Sequence, residues 1–234
     1  MKKLGLLMVL AVMMVAMPAS ADPAEFPPLF DTVGYRNNSL DALPQWRRVL
    51  DEIREEEALY HACGNGIVPC PSKSLLAWYA MMKGQAEQPK MAMLHAVNRF
   101  VNQWPHRSDS VNHDQVDYWS SPLTFLRRSG DCEDYAIIKY VSLREMGFPA
   151  EDLRIVVVRD TLRDLAHAVL VVHVEGDLYV LDNLFQAVLP QARVRQYLPY
   201  YSVNEQARWA HIPNNSMMIS STPWAVTPSA GKTE

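Results

Sequence analysis

The amino-acid sequence predicts an α+β fold in which helices come first and an antiparallel β-sheet follows. In four segments between residues 43 and 147, apolar side chains recur at intervals of three and four, the period of amphipathic helices. Between residues 154 and 183, the pattern changes to short runs of β-branched residues. Helices followed by strands, rather than alternating with them, are typical of α+β proteins.

The predicted helices have recognisable ends. The first opens on Pro44, which suits a first helical turn, and the last begins after Asp131, a good N-cap residue, and stops at Gly147. Cys132 therefore falls in the first turn of the last helix. A polar loop, HRSDSVNHDQVDYW, and a short helical segment, SPLTFLRR, precede it. The four predicted helices span residues 43–62, 73–85, 89–104 and 131–147.

The strands are predicted in RIVVVRD, HAVLVVHV and LYVLDN, with Glu175-Gly176-Asp177 as a hairpin turn between the last two. His167 opens one strand of this hairpin and Asp182 closes the other. A two-residue turn at Gly176-Asp177 places Asp182 opposite Val171, about 13 Å along the strand from His167. We therefore predict a bulge, a wider turn, or a bend of the chain at His167.

The first residues, MKKLGLLMVLAVMMVAMPASA, have two lysines, an apolar run and small residues before Asp22, as secretory signals do. The alternative is a membrane anchor, although the run is shorter than the ~20 residues that span a bilayer. We predict a signal peptide at 1–21, one domain at 22–212, a flexible tail at 213–234, and a periplasmic location.

Charge and motifs exclude two classes of function. Loss of Lys2 and Lys3 with the signal changes the formal net charge from −4 to −6, and no basic stripe remains, so nucleic acid is not expected as a partner. The chain has neither an HEXXH motif nor a CXXC pair, which argues against a zinc enzyme.

Three cysteines in an exported protein leave one thiol unpaired. Cys63 and Cys70 bracket CGNGIVPC, whose glycines and proline favour a tight turn, so we predict a disulfide between them. The alternative is two unpaired buried thiols. The remaining cysteine, Cys132, lies in the polar sequence SGDCEDY, an unusual place for a space-filling thiol.

A helix start suits a cysteine nucleophile because unpaired amides and the helix dipole favour thiolate. A nearby imidazole can take the thiol proton, and a carboxylate behind it fixes the tautomer. We predict these roles for Cys132, His167 and Asp182. His173 and the other histidines have no partner pattern, and Tyr118 and Trp119 either line the cleft or, as we expect, pack in the core.

The stretch DYWSSPLTFLRRSGDCEDYAIIKYVSLREMGFPAEDLRIVVVRD, followed by AHAVLVVHVEGDLYVLDN, resembles the bacterial transglutaminase-like cysteine proteinases. The resemblance covers about residues 117–189 and implies a papain/transglutaminase-like fold. It also implies a calcium-dependent periplasmic protease that cuts a large surface adhesin near its N-terminus, after paired alanines, and so controls biofilm attachment. An inner-membrane cyclic di-GMP receptor that sequesters the protease is the implied inhibitory partner.

By the same resemblance, Asp131 and Glu133 are calcium ligands. Physical reasoning agrees, because Asp131, Glu133 and Asp134 crowd negative charge around a thiol that must ionise, and Ca²⁺ would neutralise them. We therefore predict all three as the metal site, with Asp114 and Asp117 as possible further ligands. The alternative is that these acids simply cap the helix.

Three classes of function remain open at this stage. The first is the adhesin-releasing protease. The second is an acyltransferase that uses the same cysteine, as transglutaminases and arylamine acetyltransferases do. The third is a non-catalytic module that binds calcium or a receptor, against which the intact set of Cys132, His167 and Asp182 argues.

Overall fold

A computed structural model describes residues 26–214 of the chain. The predicted signal peptide and the tail beyond Asn214 lie outside these residues. The helices are α1 (Pro44–Gly64), α2 (Lys73–Gln85), α3 (Lys90–Val101), α4 (Asp109–Asn112), α5 (Pro122–Arg128) and α6 (Cys132–Glu145). The strands are β1 (Thr32–Asn37), β2 (Leu153–Asp160), β3 (Leu165–Val174), β4 (Asp177–Leu181), β5 (Leu189–Pro190), β6 (Tyr197–Val203) and β7 (Arg208–Pro213).

The seven strands form one antiparallel sheet in the order β1-β7-β6-β2-β3-β4-β5. The central strands, β2 and β3, are those that the sequence predicts most clearly, because both are rich in valine and almost entirely buried. The α+β prediction is confirmed. The sequence analysis did not predict β1, β5, β6 and β7.

The larger hydrophobic core lies between the helices and one face of the sheet. Apolar residues of α6, including Ile137 and Tyr140, are buried there together with Leu170 and Val172 of β3. A second, smaller core covers the opposite sheet face, where Val169, Val180 and Tyr197 pack under the N-terminal segment. Strand alternation thus separates the two cores, since successive side chains point to opposite faces.

Cys63 and Cys70 form a disulfide, with Cα atoms 4.7 Å apart, as predicted. Cys132 is the free cysteine of the described residues. None of the helices between residues 26 and 214 is both long enough and apolar enough to cross a bilayer.

The hairpin between β3 and β4 corrects one detail of the prediction. Its turn residues are Glu175 and Gly176, both with positive φ, as a tight two-residue turn requires. Leu181 consequently pairs with Leu170, which places Asp182 opposite Val169 rather than Val171. The predicted bulge, wider turn or bend is therefore wrong. The turn begins one residue earlier than the sequence analysis assumed, and this change alone shifts the pairing of the two strands by two residues.

Candidate active site

His167 and Asp182 meet at the open end of the β3–β4 hairpin. The shifted register leaves them two residues apart along the ladder and on the same face, a gap of about 7 Å that two side chains can bridge. His167 Nε2 lies 3.0 Å from Asp182 Oδ1, and both side chains are buried. The predicted pairing of imidazole and carboxylate is therefore present in the structure.

The Asp182 carboxylate is fully hydrogen-bonded. Besides His167, it accepts the Leu184 N–H at 2.9 Å and the Tyr197 hydroxyl at 2.5 Å. Burial alone would raise the pKa of Asp182, but these donors, His167 first, outweigh burial and lower it. Asp182 is thus an anion at neutral pH. Tyr197 was not predicted as a site residue, because its link to Asp182 depends on a strand that the sequence pattern did not reveal.

Helix α3 supports the segment that follows Asp182. The Asn102 side chain donates to the carbonyls of Asp182 and Phe185, at 2.8 and 2.9 Å. The Asn98 side chain donates to the carbonyls of Phe185 and Gln186, at 2.9 and 3.1 Å. Two asparagines, one helical turn apart, therefore hold the chain that presents the carboxylate.

Lys139 of α6 is fully buried, and its ammonium has no hydrogen-bond partner among the described residues. Burial lowers the pKa of Lys139 to about 7, while the Asp182 charge acts in the opposite direction. A buried lysine in a helix core carries no sequence signal that separates it from a surface lysine, so this residue was not predicted as part of the site.

Cys132 lies in the first turn of α6, with Asp131 at the N-cap position. Its thiol interacts with the backbone amide of Ala168, the residue after His167. This approach is possible because β4 pairs with β3 only from Leu170 onward, so the first half of β3 has no strand neighbour on that side. Cys132 therefore lies close to the β3 backbone next to His167.

The thiol is hydrogen-bonded to a carboxylate rather than to the imidazole. Cys132 Sγ donates to Glu133 Oε2 at 3.3 Å, and no hydrogen bond joins Cys132 to His167 in the part of the chain that the structure describes. Burial raises the pKa of Cys132, and the charges of Glu133 and Asp131 raise it further. Because Nε2 of His167 is committed to Asp182, Nδ1 is the nitrogen that remains for the thiol proton.

A cluster of carboxylates surrounds this helix start. Ligand oxygens of Asp109, Asp131 and Asp134 lie within 4.8 Å of one another, and so do those of Asp109, Asp117 and Glu133. The structure thus unites the three predicted metal residues with Asp117, which we considered as a further ligand. It adds Asp109, which we did not predict.

Loop contacts explain why Asp109 reaches the cysteine loop. The Arg107 N–H donates to the Gly130 carbonyl at 2.8 Å, and the Asn112 side chain donates to the Ser129 carbonyl at 3.0 Å. A Cβ atom at Gly130 would lie 1.9 Å from Asp134 Oδ2, so only glycine permits this close approach. These contacts join chain segments about twenty residues apart, without any periodic pattern.

The cluster has the chemistry of a site for a hard cation. Asp109 Oδ1 and Asp131 Oδ1 are buried without a hydrogen-bond partner among the described residues. Burial, followed by repulsion between the carboxylates, raises the pKa of Asp109 to about 6 and that of Glu133 to about 9. Ca²⁺ binds carboxylate oxygens, and its charge offsets the repulsion between carboxylates that have no hydrogen-bond donor. The residues therefore fit such an ion.

The members of the cluster differ in what else they contact. Both oxygens of Asp134 accept backbone N–H groups, from Ser120 at 2.6 Å and from Asp131 at 3.3 Å, so this carboxylate also braces the helix start. Asp114, which we named as a possible further ligand, is exposed and lies outside both groups of ligand oxygens. Trp119 packs in the core, as expected.

A free cysteine at a helix start, beside a buried histidine–aspartate pair, is the arrangement of thiol hydrolases. Residues 69–217 match the family profile described as bacterial transglutaminase-like cysteine proteinase. This match covers well over half of the chain, and the chain belongs to the bacterial transglutaminase-like cysteine proteinase family. The papain/transglutaminase-like fold and the resemblance seen in the sequence are thereby confirmed.

Solved structures of LapG from Legionella pneumophila are similar to this chain. The calcium-bound form is 33% identical with a TM-score of 0.55, and the match covers 59% of this chain and 78% of LapG. The EGTA-treated form is 33% identical with a TM-score of 0.54, covering 59% and 76%. A third LapG structure is 32% identical with a TM-score of 0.55, covering 62% and 82%. A comparison with curated proteins found no match.

Proposed function

We propose that this protein is a calcium-dependent periplasmic endopeptidase that cleaves the N-terminal region of a large surface adhesin and thereby releases cells from a biofilm. Membership of a cysteine proteinase family and likeness to LapG support this proposal. The observation that carries it is the buried His167–Asp182 pair, together with the one free cysteine of the described chain, whose thiol approaches the backbone amide of Ala168 beside His167.

The proposed chemistry assigns one step to each residue. His167 Nδ1 takes the proton of the Cys132 thiol, and the sulfur attacks the carbonyl carbon of the scissile peptide bond. The peptide C–N bond then breaks, and the leaving amine takes the proton from His167. Water, deprotonated by His167, hydrolyses the resulting thioester and regenerates the thiol. Throughout, Asp182 holds Nε2 and stabilises the imidazolium.

We propose Asp131 and Glu133 as calcium ligands, together with Asp109 and Asp117. Asp134 adds charge to the site, but its hydrogen bonds to backbone amides favour a bracing role. Bound calcium would supply positive charge that offsets the carboxylates around the Cys132 thiol. Calcium-bound and EGTA-treated forms of LapG are both among the similar structures, which supports this cofactor.

The protein's location and regulation are also proposals. A signal peptide at 1–21 and a disulfide suit the oxidising periplasm. The domain proposed at 22–212 extends slightly further, since β7 ends at Pro213 and the Asn214 N–H donates to the Asp31 carbonyl at 3.0 Å. Inhibition by an inner-membrane cyclic di-GMP receptor is proposed from the family resemblance.

The test is cleavage of the N-terminal region of a candidate adhesin by the mature protein. We expect two fragments with calcium, none with EGTA, and better recovery with calcium than with magnesium. Cys132→Ala should retain its circular dichroism spectrum and its thermal midpoint but lose all cleavage. Cleavage by this variant would exclude Cys132 as the nucleophile and end the cysteine-protease assignment.

The same assay separates the alternatives. An acyltransferase would join an added primary amine to the substrate, producing an amide of higher mass, whereas a protease produces only hydrolysis. A non-catalytic module would bind calcium or the receptor domain with no product at all. Cleavage that is insensitive to EGTA would reduce Asp131 and Glu133 to helix-capping residues.

A further inference from the structure

A cavity of about 600 Å³ lies on the sheet face that carries the smaller core. Its walls come from the N-terminal segment, β1, β7 and the start of β2, and its lining includes Phe26, Arg36, Glu151, Arg154, Trp209 and His211. None of the residues assigned to the protease site lines it. The cavity is therefore a separate feature of the molecule.

Arg154 is the unusual residue in this cavity. Its guanidinium lies against two aromatic rings, with Cζ 3.3 Å from the ring centroid of Trp209 and 4.4 Å from that of Phe26. The residue is only 7% exposed. Both distances are in the range of cation–π interactions.

The edge of the same guanidinium has no acceptor. An arginine carries five N–H donors, yet within residues 26–214 none of those of Arg154 makes a hydrogen bond, and Nη1 is completely buried. A nearby carboxylate, Asp152, is engaged by His173 instead, at 3.1 Å. Because a buried charge without a partner is costly, an anion would stabilise this guanidinium.

The charges that line the cavity indicate what kind of anion fits. Arg36 lies over the Trp209 ring at 5.6 Å and adds a second positive charge, while Glu151 contributes one negative charge. Burial lowers the pKa of His211 to about 4, so this imidazole is neutral at pH 7. The lining therefore carries a net charge of about +1, which matches a singly charged carboxylate better than a doubly charged phosphate.

We propose that this cavity is a binding site for a carboxylate-bearing ligand, whose carboxylate pairs with the free edge of Arg154 and whose apolar part packs against Phe26 and Trp209. A planar carboxylate matches the fork of N–H donors on a guanidinium. The proposal does not depend on protease activity.

The test is calorimetric titration of the mature protein with N-acetylphenylalanine, compared with its uncharged amide and with inorganic phosphate. We expect saturable binding of the carboxylate and at least about tenfold weaker binding of the amide and of phosphate, the ratio that about 1.4 kcal/mol represents. The carboxylate should also raise the thermal midpoint. Absence of saturable binding, or equal binding of the amide, would refute the proposal.

Variants locate the site. Arg154→Met keeps most of the side-chain volume and should abolish binding, and Arg36→Met should weaken it about fivefold through loss of one charge. Arg195→Met, at an exposed arginine outside the cavity, should bind like the wild type. Because Arg36 is exposed, its variant decides the matter even if Arg154→Met does not fold; unchanged affinity in Arg36→Met would contradict the site.

Discussion

The two halves of the candidate active site differ in how completely their polar groups are satisfied. On the imidazole side, the Asp182 carboxylate accepts hydrogen bonds from His167, Leu184 and Tyr197. On the thiol side, Cys132 donates to a carboxylate, and buried oxygens of Asp109 and Asp131 have no partner among the described residues. One half is complete as folded, and the other carries uncompensated negative charge.

This difference suggests a division of labour. The acid–base pair is preorganised by strands and by hydrogen bonds within the fold, so it costs little to reorganise during a reaction. The nucleophile, by contrast, lies in a field that opposes ionisation. In the proposed mechanism, the base is therefore already oriented in the folded protein, whereas the reactivity of the thiol depends on the charge of the carboxylate cluster.

The largest effect is expected for Asp182→Asn. The amide cannot stabilise the imidazolium and favours the wrong tautomer of His167, so kcat should fall by about 10³- to 10⁴-fold. Cleavage of the adhesin fragment measures this loss, and Asp177→Asn, at the exposed start of β4 in the same hairpin, is the matched control. A fall of less than tenfold would mean that the imidazole side does not depend on this carboxylate.

Glu133→Gln probes the thiol side. Because the pKa of Glu133 is raised to about 9, the test is made at about pH 10, where this carboxylate is ionised. Removing its charge lowers the pKa of Cys132, so in EGTA we expect alkylation by iodoacetamide to be about tenfold faster than in the wild type. The other two cysteines form a disulfide, and the reaction therefore reports on Cys132 alone. Calcium should accelerate the wild type more than the variant. Equal rates in EGTA would contradict the proposed charge effect, and Glu87→Gln provides an exposed control.

Tyr197→Phe removes one of the three donors to Asp182. A buried hydrogen bond to a charged group contributes about 1.5 kcal/mol, so kcat should fall about tenfold.

The same variant also tests how stability depends on pH. The pKa of Asp182 is lowered in the folded state, so its contribution to stability is present above the unfolded pKa and is lost as pH falls through the folded pKa. The stability deficit of the variant should thus shrink when urea unfolding is repeated in acid. A deficit independent of pH would mean that the hydroxyl does not act through Asp182.

The smallest effect is expected for Asn102→Ala, which removes two hydrogen bonds from the chain that follows Asp182. We expect a loss of about 1 kcal/mol in unfolding free energy and a fewfold fall in kcat, with KM nearly unchanged. Gln103→Ala is the control, because the Gln103 side chain bonds only within its own helical segment. A large rise in KM would indicate that Asn102 contacts substrate rather than supporting Asp182.

Local patterns predicted a large part of this molecule. Helix α2 has the bounds that the sequence predicts, and Asp131 occupies the N-cap position that places Cys132 in the first turn of α6. The disulfide followed from turn-forming residues between two close cysteines. Each of these features depends on contacts between residues near one another in the chain, where periodicity and turn chemistry are informative.

The sequence by itself determined the α+β class, the position of Cys132 at a helix start, and the choice of His167 and Asp182 as its candidate partners. Only the tertiary structure decided the hairpin register that brings Asp182 to His167, the contact of Tyr197 with that carboxylate, the place of Asp109 in the cluster, and the isolation of Arg154. The physical reason is that these features depend on contacts between distant segments: a one-residue change in where a turn begins shifts the pairing by two residues, and no local pattern records which loops meet.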